Sequence, residues 1–151
     1  GAGLVIGIEP DSSNAHYLRH NIHVVCQATD RAILITGACW RSDKIIKTVN
    51  YAAVGTNTGG GNTLGETGQK VKAMPLDSLI DFACHISGRD RIRMIKLDCE
   101  GAEWPILLTM SNLYFVDSVI GEYHEIEDVG LWPASIVRDH LPYRSYKKGR
   151  I

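Results

Sequence analysis

Acidic and histidine side chains follow three apolar segments of this sequence, at the points where each segment would end as a strand. The segments read LVIGIE, IRMIKLD and DSVIGEY, and the side chains at their ends are Glu9, Asp98 with Glu100, and Glu122 with His124. In open α/β sheets, ligands bind outside the carboxyl ends of the strands. The sequence therefore predicts that the functional site lies at this edge of the sheet.

Two of these side chains have an evident chemical use. A carboxylate at a strand tip, such as Glu9, can accept hydrogen bonds from the vicinal hydroxyls of a ribose, although it could equally cap the following helix. His124 lies between Glu122 and Glu125 in the sequence. A neighbouring carboxylate orients an imidazole ring, which suits His124 to act as a general base.

Asp98, Glu100 and Glu103 form a short acidic segment. Glu103 falls in the first turn of a predicted helix, where the helix dipole stabilises a carboxylate by about 0.3–1 kcal/mol, so we expect its role to be structural. Asp98 closes an apolar strand and has no such explanation. With His124, these acids could form a site for a hard metal or for zinc. Because no HExxH-type spacing supports that alternative, we expect no metal.

Hydrophobic periodicity predicts alternating strands and helices. Strands are expected over residues 4–9, 31–40, 44–54, 71–74, 92–98 and 117–123. Helices are expected from residue 12 to about 24, from an N-cap at Asp77 to Gly88, from about residue 102, and near residues 133–140. The glycine-rich stretch 55–68 lacks apolar periodicity and predicts a long loop. This alternation favours an α/β fold with a mainly parallel sheet.

The composition is that of an ordinary globular protein. The 151 residues are 44% hydrophobic and 22% charged, and the net charge is −1. This balance gives no argument for a nucleic-acid partner, and no apolar run approaches the roughly 20 residues that span a bilayer. The four cysteines lack metal-binding spacing and have apolar neighbours, so we expect buried thiols and a reducing, cytoplasmic location.

Several segments together resemble the FkbM-like methyltransferases, which depend on S-adenosylmethionine. IEPD, at residues 8–11, is similar to the family's EP segment, and PLDSL, at 75–79, to its TLDsL segment. IKLDCEGAE, at 95–103, resembles the signature iKiDvEGaE, and EYH, at 122–124, resembles the E.h strand end. The matches occur in the family's order over most of the chain.

The resemblance implies a Rossmann-like class I methyltransferase sheet in a three-layer α/β/α arrangement, with residues 1–151 forming a single domain. It implies that a methyl group passes from S-adenosylmethionine to a hydroxyl of a small molecule or sugar. Cofactor contacts would fall to Glu9, Pro10 and Asp98. Catalytic roles would fall to Asp98, Glu122 and His124.

The start of the sequence departs from the family pattern. The family begins with a strand and a glycine-rich turn, roughly DvGAniG, ahead of the EP segment, whereas only Gly1-Ala2-Gly3 precedes LVIGIE here. We therefore expect the chain to lack that strand and turn, either because it is N-terminally incomplete or because another segment takes their place.

Two alternatives to a methyltransferase remain. The absent glycine turn favours a non-catalytic, methyltransferase-like binding domain. A metal-dependent hydrolase that uses Asp98, Glu100 and His124 is the other.

Overall fold

The computed structural model describes residues 3–54, 57–124 and 144–149, the last range as backbone only. Its strands are β1 (Val5–Glu9), β2 (Ala32–Thr36), β3 (Ala38–Trp40), β4 (Thr48–Val54), β5 (Asn57–Asn62), β6 (Gln69–Pro75), β7 (Ile95–Leu97), β8 (Val119–His124) and β9 (Arg144–Gly149). Its α-helices are α1 (Ser12–His20), α2 (Leu76–Ser87) and α3 (Glu103–Leu107). The predicted helix near residues 133–140, and Glu125, lie outside the described residues.

The described strands form three hydrogen-bonded sheets, ordered β1-β2, β3-β6-β4-β5 and β7-β8-β9. β1 is parallel to β2, and β8 is parallel to both β7 and β9, whereas β4 is antiparallel to both of its neighbours. The mixed α/β class is thus confirmed. Among the described strands, no ladder joins the β1-β2 pair to the β7-β8-β9 sheet.

The first helix begins as the sequence predicts. Asp11 is its N-cap, and the Asp11 carboxylate accepts hydrogen bonds from the backbone N–H groups of Ser13 and Asn14 at 2.8 and 3.0 Å. These bonds satisfy two of the N–H groups that a helix start leaves without partners. Pro10 ends β1 immediately before this cap, so α1 starts within three residues of Glu9.

The single strand predicted over residues 31–40 is wrong, because Gly37 divides it between two sheets. Gly37 has a φ of 155° and is buried. A methyl group at this position would lie 2.8 Å from both the carbonyl oxygen of Lys72 and the Cε atom of Met74. The backbone can therefore pass close to β6 only where there is no side chain.

The loop predicted over residues 55–68 is also wrong in part, since residues 57–62 form β5. This strand is antiparallel to β4, with Ala52 opposite Asn62. Glycine-rich segments lack the alternating side chains by which a strand is identified from sequence. Pairing with β4 supplies the order that local propensity does not.

The main core lies where α2 and α3 pack near β7 and β8. Leu76 and Ile80 are four residues apart and so share one face of α2, as predicted from their spacing. They cluster with other buried side chains, namely Leu97, Ala102, Ile106, Val116 and Val119. The helix ends at Gly88, which adopts the left-handed conformation expected of a C-terminal glycine.

Asp77 is not the N-cap of α2, contrary to the prediction. Helix α2 begins at Leu76, so Asp77 lies within its first turn, and no side chain caps the helix. The Asp77 carboxylate instead accepts hydrogen bonds from the backbone N–H groups of Ser111 and Asn112, with Ser111 N at 2.9 Å from Oδ2. This carboxylate therefore caps the 3-10 helix Asn112–Phe115 and ties it to α2.

We expect Asp77→Ala to lower the free energy of unfolding by about 1–2 kcal/mol, because it leaves two N–H groups of this helix start without their acceptor. Urea unfolding followed by circular dichroism measures the change. Asp90→Ala is the matched control, since Asp90 is exposed and makes no hydrogen bond or ion pair with another described residue. Equal unfolding midpoints for the two variants would contradict the capping role.

The cysteines are less buried than the prediction of buried thiols requires. All four are free thiols, and Cys26 is exposed rather than buried, while Cys39, Cys84 and Cys99 are half-buried. Among the helices that the structure describes, none combines the length and apolarity needed to cross a bilayer.

Candidate active site

The turn that follows β7 is held by a buried glutamate. Glu103 is the first residue of α3 and only 1% exposed. Its carboxylate accepts hydrogen bonds from the backbone N–H groups of Cys99 and Gly101, the second at 2.8 Å. Within the same turn, Glu100 has a φ of 49°, which is uncommon for a residue with a side chain. Glu103 thus fixes the turn from inside, in agreement with its predicted structural role.

His124 ends β8 and faces this turn. It is 4% exposed, with Nδ1 3.3 Å from Oε1 of Glu103 and Nε2 3.3 Å from Oε2 of Glu100. The indole N–H of Trp104 donates a 2.6 Å hydrogen bond to the backbone carbonyl of His124. Both ring nitrogens therefore face carboxylates, and the backbone is fixed as well.

Asp98 lies one residue beyond the end of β7, on the open side of this cluster. Its side chain is 40% exposed, and its carboxylate lies 3.7 Å from the ammonium group of Lys96. A carboxylate oxygen of Asp98 lies within 4.8 Å of ligand atoms of both Glu100 and His124. Asp98 is thus the most accessible acid of the group.

Glu122, a predicted catalytic residue, lies outside the hydrogen bonds and ion pairs of this cluster. It is half-buried and makes no hydrogen bond or ion pair with the described residues. Because alternate residues of a strand share a face, Glu122 lies on the same face of β8 as His124.

Glu9 ends β1 and is half-buried. Its Oε1 accepts a 2.8 Å hydrogen bond from the backbone N–H of Asp11, on the far side of Pro10. Burial is the main cause that raises the pKa of Glu9, and the negative charge of Asp11 adds to it, while the hydrogen bonds from Asp11 and Asn14 lower it. The carboxylate is thus partly desolvated, as groups at binding sites often are.

Tyr51, on β4, is a buried residue near the site that the sequence analysis did not identify. It is 6% exposed. Burial raises the pKa of its hydroxyl, and the negative charges of Asp11, Glu9 and Glu100 raise it further. The hydroxyl is therefore within electrostatic reach of the acids at the ends of both β1 and β7. No sequence signal identified it, because a tyrosine in a strand reads as ordinary core.

The thiols of Cys99 and Cys39 are desolvated by burial. Burial raises the pKa of the Cys99 thiol to about 12, and the charge of Glu103 contributes. Burial also raises the pKa of Cys39, with Cys99 as a further cause. Because the thiolate is the reactive form, burial disfavours the reactive state of both cysteines.

The site therefore consists of acids and one histidine at the carboxyl ends of parallel strands, where α/β proteins bind their ligands. A model of the family described as the methyltransferase FkbM domain matches residues 1–147. The chain belongs to the FkbM methyltransferase domain family, which confirms the resemblance seen in its motifs. No curated protein and no solved structure gives a significant match.

Proposed function

We propose that this domain is an S-adenosylmethionine-dependent methyltransferase that acts on a hydroxyl of a small molecule or sugar. The observation that carries the proposal is the half-buried carboxylate of Glu9 at the end of β1, on a chain whose family is the FkbM methyltransferases. We propose further that residues 1–151 form one cytoplasmic, Rossmann-like domain with a three-layer arrangement. Its partners would be small molecules rather than nucleic acid or membrane.

The charge of the site suits this cofactor. S-adenosylmethionine carries a cationic sulfonium, which negative charge stabilises. The negative charges of Asp11, Glu9 and Glu100 all raise the pKa of the Tyr51 hydroxyl, so the surroundings of that hydroxyl are negatively charged. A carboxylate offers about four lone-pair positions, so Glu9 can accept hydrogen bonds from ribose hydroxyls while it also accepts the Asp11 N–H. Pro10 restricts the backbone between these two acids and so keeps the Glu9 carboxylate in place.

When bound, S-adenosylmethionine would supply an electrophilic methyl group for the acceptor oxygen and would leave as neutral S-adenosylhomocysteine. Asp98, the accessible acid of the turn, orients the acceptor hydroxyl and takes its proton. His124 and Glu122 line the acceptor side from one face of β8. His124 is held there by Glu103 and Glu100 at 3.3 Å each.

Two substitutions separate cofactor binding from chemistry. We expect Glu9→Gln to weaken binding of S-adenosylhomocysteine at least about tenfold by loss of a charged acceptor, equivalent to about 1.4 kcal/mol. Asp98→Asn should leave that affinity within a factor of about three but reduce methyl transfer about 100-fold, the usual contribution of a general base. Calorimetry and transfer of a labelled methyl group to a panel of sugars and small alcohols provide the two readouts.

Asp90→Asn is the control for both measurements. Equal affinity for S-adenosylhomocysteine in the wild type and Glu9→Gln would contradict the role of Glu9. Binding without methyl transfer to any acceptor in the panel would favour the non-catalytic binding domain. Absence of any calorimetric or thermal response to S-adenosylhomocysteine would overturn the proposed function.

The same Glu9→Gln variant has a measurable effect on the ligand-free protein. Because burial raises the folded-state pKa of Glu9, the native carboxyl binds more protons than the unfolded one above the ordinary glutamate value of 4.5. Stability contributed by Glu9 therefore falls as the pH rises through the interval between the two pKa values. We expect the unfolding midpoint of Glu9→Gln, relative to wild type, to rise between pH 4 and pH 7, and an unchanged or falling difference would contradict this.

A further inference from the structure

We propose that Asp98, Glu100 and His124 form a binding site for one divalent metal cation. Each residue offers one ligand atom, and these atoms all lie within 4.8 Å of one another. Two carboxylate oxygens and one imidazole nitrogen form a donor set that suits Zn²⁺ or Mn²⁺. The three residues come from the turn after β7 and from the end of β8, whose strands are paired in parallel and so hold the two segments in register.

The second support for the site is the way in which His124 is held. Its Nδ1 lies 3.3 Å from Oε1 of Glu103, a carboxylate that is itself buried. Histidines that bind metals almost always donate their other ring N–H to such a carboxylate, which fixes the ring tautomer and its orientation. An Nδ1–H donated to Glu103 leaves the Nε2 lone pair directed toward Glu100.

The spacing of the facing atoms also suits a shared cation. Nε2 of His124 lies 3.3 Å from Oε2 of Glu100. A metal ion with ligand distances of about 2.0–2.2 Å can bind both atoms at that separation.

The electrostatics around the site favour a cation. The carboxylates of Asp98, Glu100 and Glu103 lie around the imidazole of His124. The mostly exposed side chain of Lys96 forms a salt bridge with Asp98. Exposed ion pairs of this kind contribute little. A bound divalent cation would be the largest local charge and would compensate the excess of negative charge.

A metal ion can also reach the site from solvent. The side chain of Asp98 is 40% exposed and that of Glu100 is 22% exposed, whereas His124 and Glu103 form the buried wall behind them. Three protein ligands leave coordination positions open on the Asp98 side, as in catalytic metal sites. That these positions hold the acceptor oxygen rests on the proposed function, but metal binding itself does not.

The test is titration of the full chain, first stripped with EDTA, with MnCl₂ and separately with ZnCl₂. Electron paramagnetic resonance counts bound Mn²⁺, and calorimetry measures affinity for both ions. We expect the wild type to bind one ion per chain. Asp98→Asn and Glu100→Gln should each lower the affinity at least about tenfold, the loss seen when residues that support a bound metal are replaced. Glu103→Gln should weaken binding by about 10–100-fold although Glu103 is not a ligand.

Asp90→Asn is the matched control, and circular dichroism establishes that each variant is folded. The proposal is overturned if wild type binds no stoichiometric ion, or if Asp98→Asn and Glu100→Gln bind as well as Asp90→Asn. Titration with S-adenosylhomocysteine in EDTA is run beside it. If the protein binds S-adenosylhomocysteine but does not bind Mn²⁺, the metal site alone is refuted. If it binds Mn²⁺ but does not bind S-adenosylhomocysteine, the metal site is supported and the proposed function is refuted.

Discussion

Glu103→Ala is expected to lower the free energy of unfolding by about 3–5 kcal/mol, the scale seen when one partner of a buried charged network is removed. The substitution leaves the N–H groups of Cys99 and Gly101 without their acceptor. It also removes the carboxylate that faces Nδ1 of His124. Each buried donor without a partner costs about 1–3 kcal/mol, so the loss exceeds that of an ordinary surface substitution.

Glu103→Gln separates hydrogen bonding from charge. Its amide keeps one acceptor oxygen of nearly the same shape, so it can hold one N–H of the turn but cannot hold both as the carboxylate does. We expect Glu103→Gln to lower the free energy of unfolding, but by less than Glu103→Ala does. Urea unfolding measures the series, with Glu66→Ala as the exposed control. If Glu103→Ala unfolds at the same urea concentration as that control, the turn does not depend on Glu103.

The ends of the strands could be predicted from the sequence because they depend on local pattern. Glu9, Asp98 and His124 each follow an apolar run of strand length, and such runs end where polar residues begin. The paired strands are parallel, so these residues fall at their carboxyl ends, as expected. The N-cap at Asp11 and the C-terminal Gly88 were likewise predictable, since capping involves residues a few positions apart.

What the sequence could not indicate depends on partners distant in the chain. Asp77 caps the helix start at Ser111. Its position in the sequence, just before an apolar helical pattern, indicates an N-cap of α2 instead. Gly37 is constrained by the backbone of β6 at Lys72, which no local pattern reveals. The charges of Glu9 and Glu100 act on the hydroxyl of Tyr51, although both residues are about 40 or more positions away in the chain, so only tertiary structure brings them within electrostatic range.

The same limit applies within the acidic cluster. The sequence places Asp98, Glu100 and Glu103 close together but does not say which of them faces inward. A positive φ at Glu100 turns the chain so that Glu103 is buried and Asp98 stays accessible. Three neighbouring acids therefore have different roles, since one holds the turn, one holds the imidazole and one remains open to solvent.

Gly121→Ala is expected to disrupt the pairing of β7 with β8, at a cost of at least about 3 kcal/mol, the upper end of the range for overpacking. Gly121 pairs with Leu97 across these parallel strands. A methyl group on Gly121 would overlap the carbonyl oxygen of Leu97 and lie 2.8 Å from its carbonyl carbon. Because the obstructing atoms are backbone, no side-chain rotation relieves the contact, and Leu97 is itself buried in the core.

The consequence extends to the site, since Leu97 immediately precedes Asp98 and Gly121 lies three residues before His124. Displacing β8 from β7 would separate His124 from Glu100 and Glu103, which now hold it at 3.3 Å each. We therefore expect Gly121→Ala to lose binding of Mn²⁺ together with stability. Gly65→Ala is the control, because a methyl group there meets only ordinary contacts, at 3.8 Å or more. Wild-type thermal stability in Gly121→Ala would show that these two strands do not approach as closely as their pairing requires.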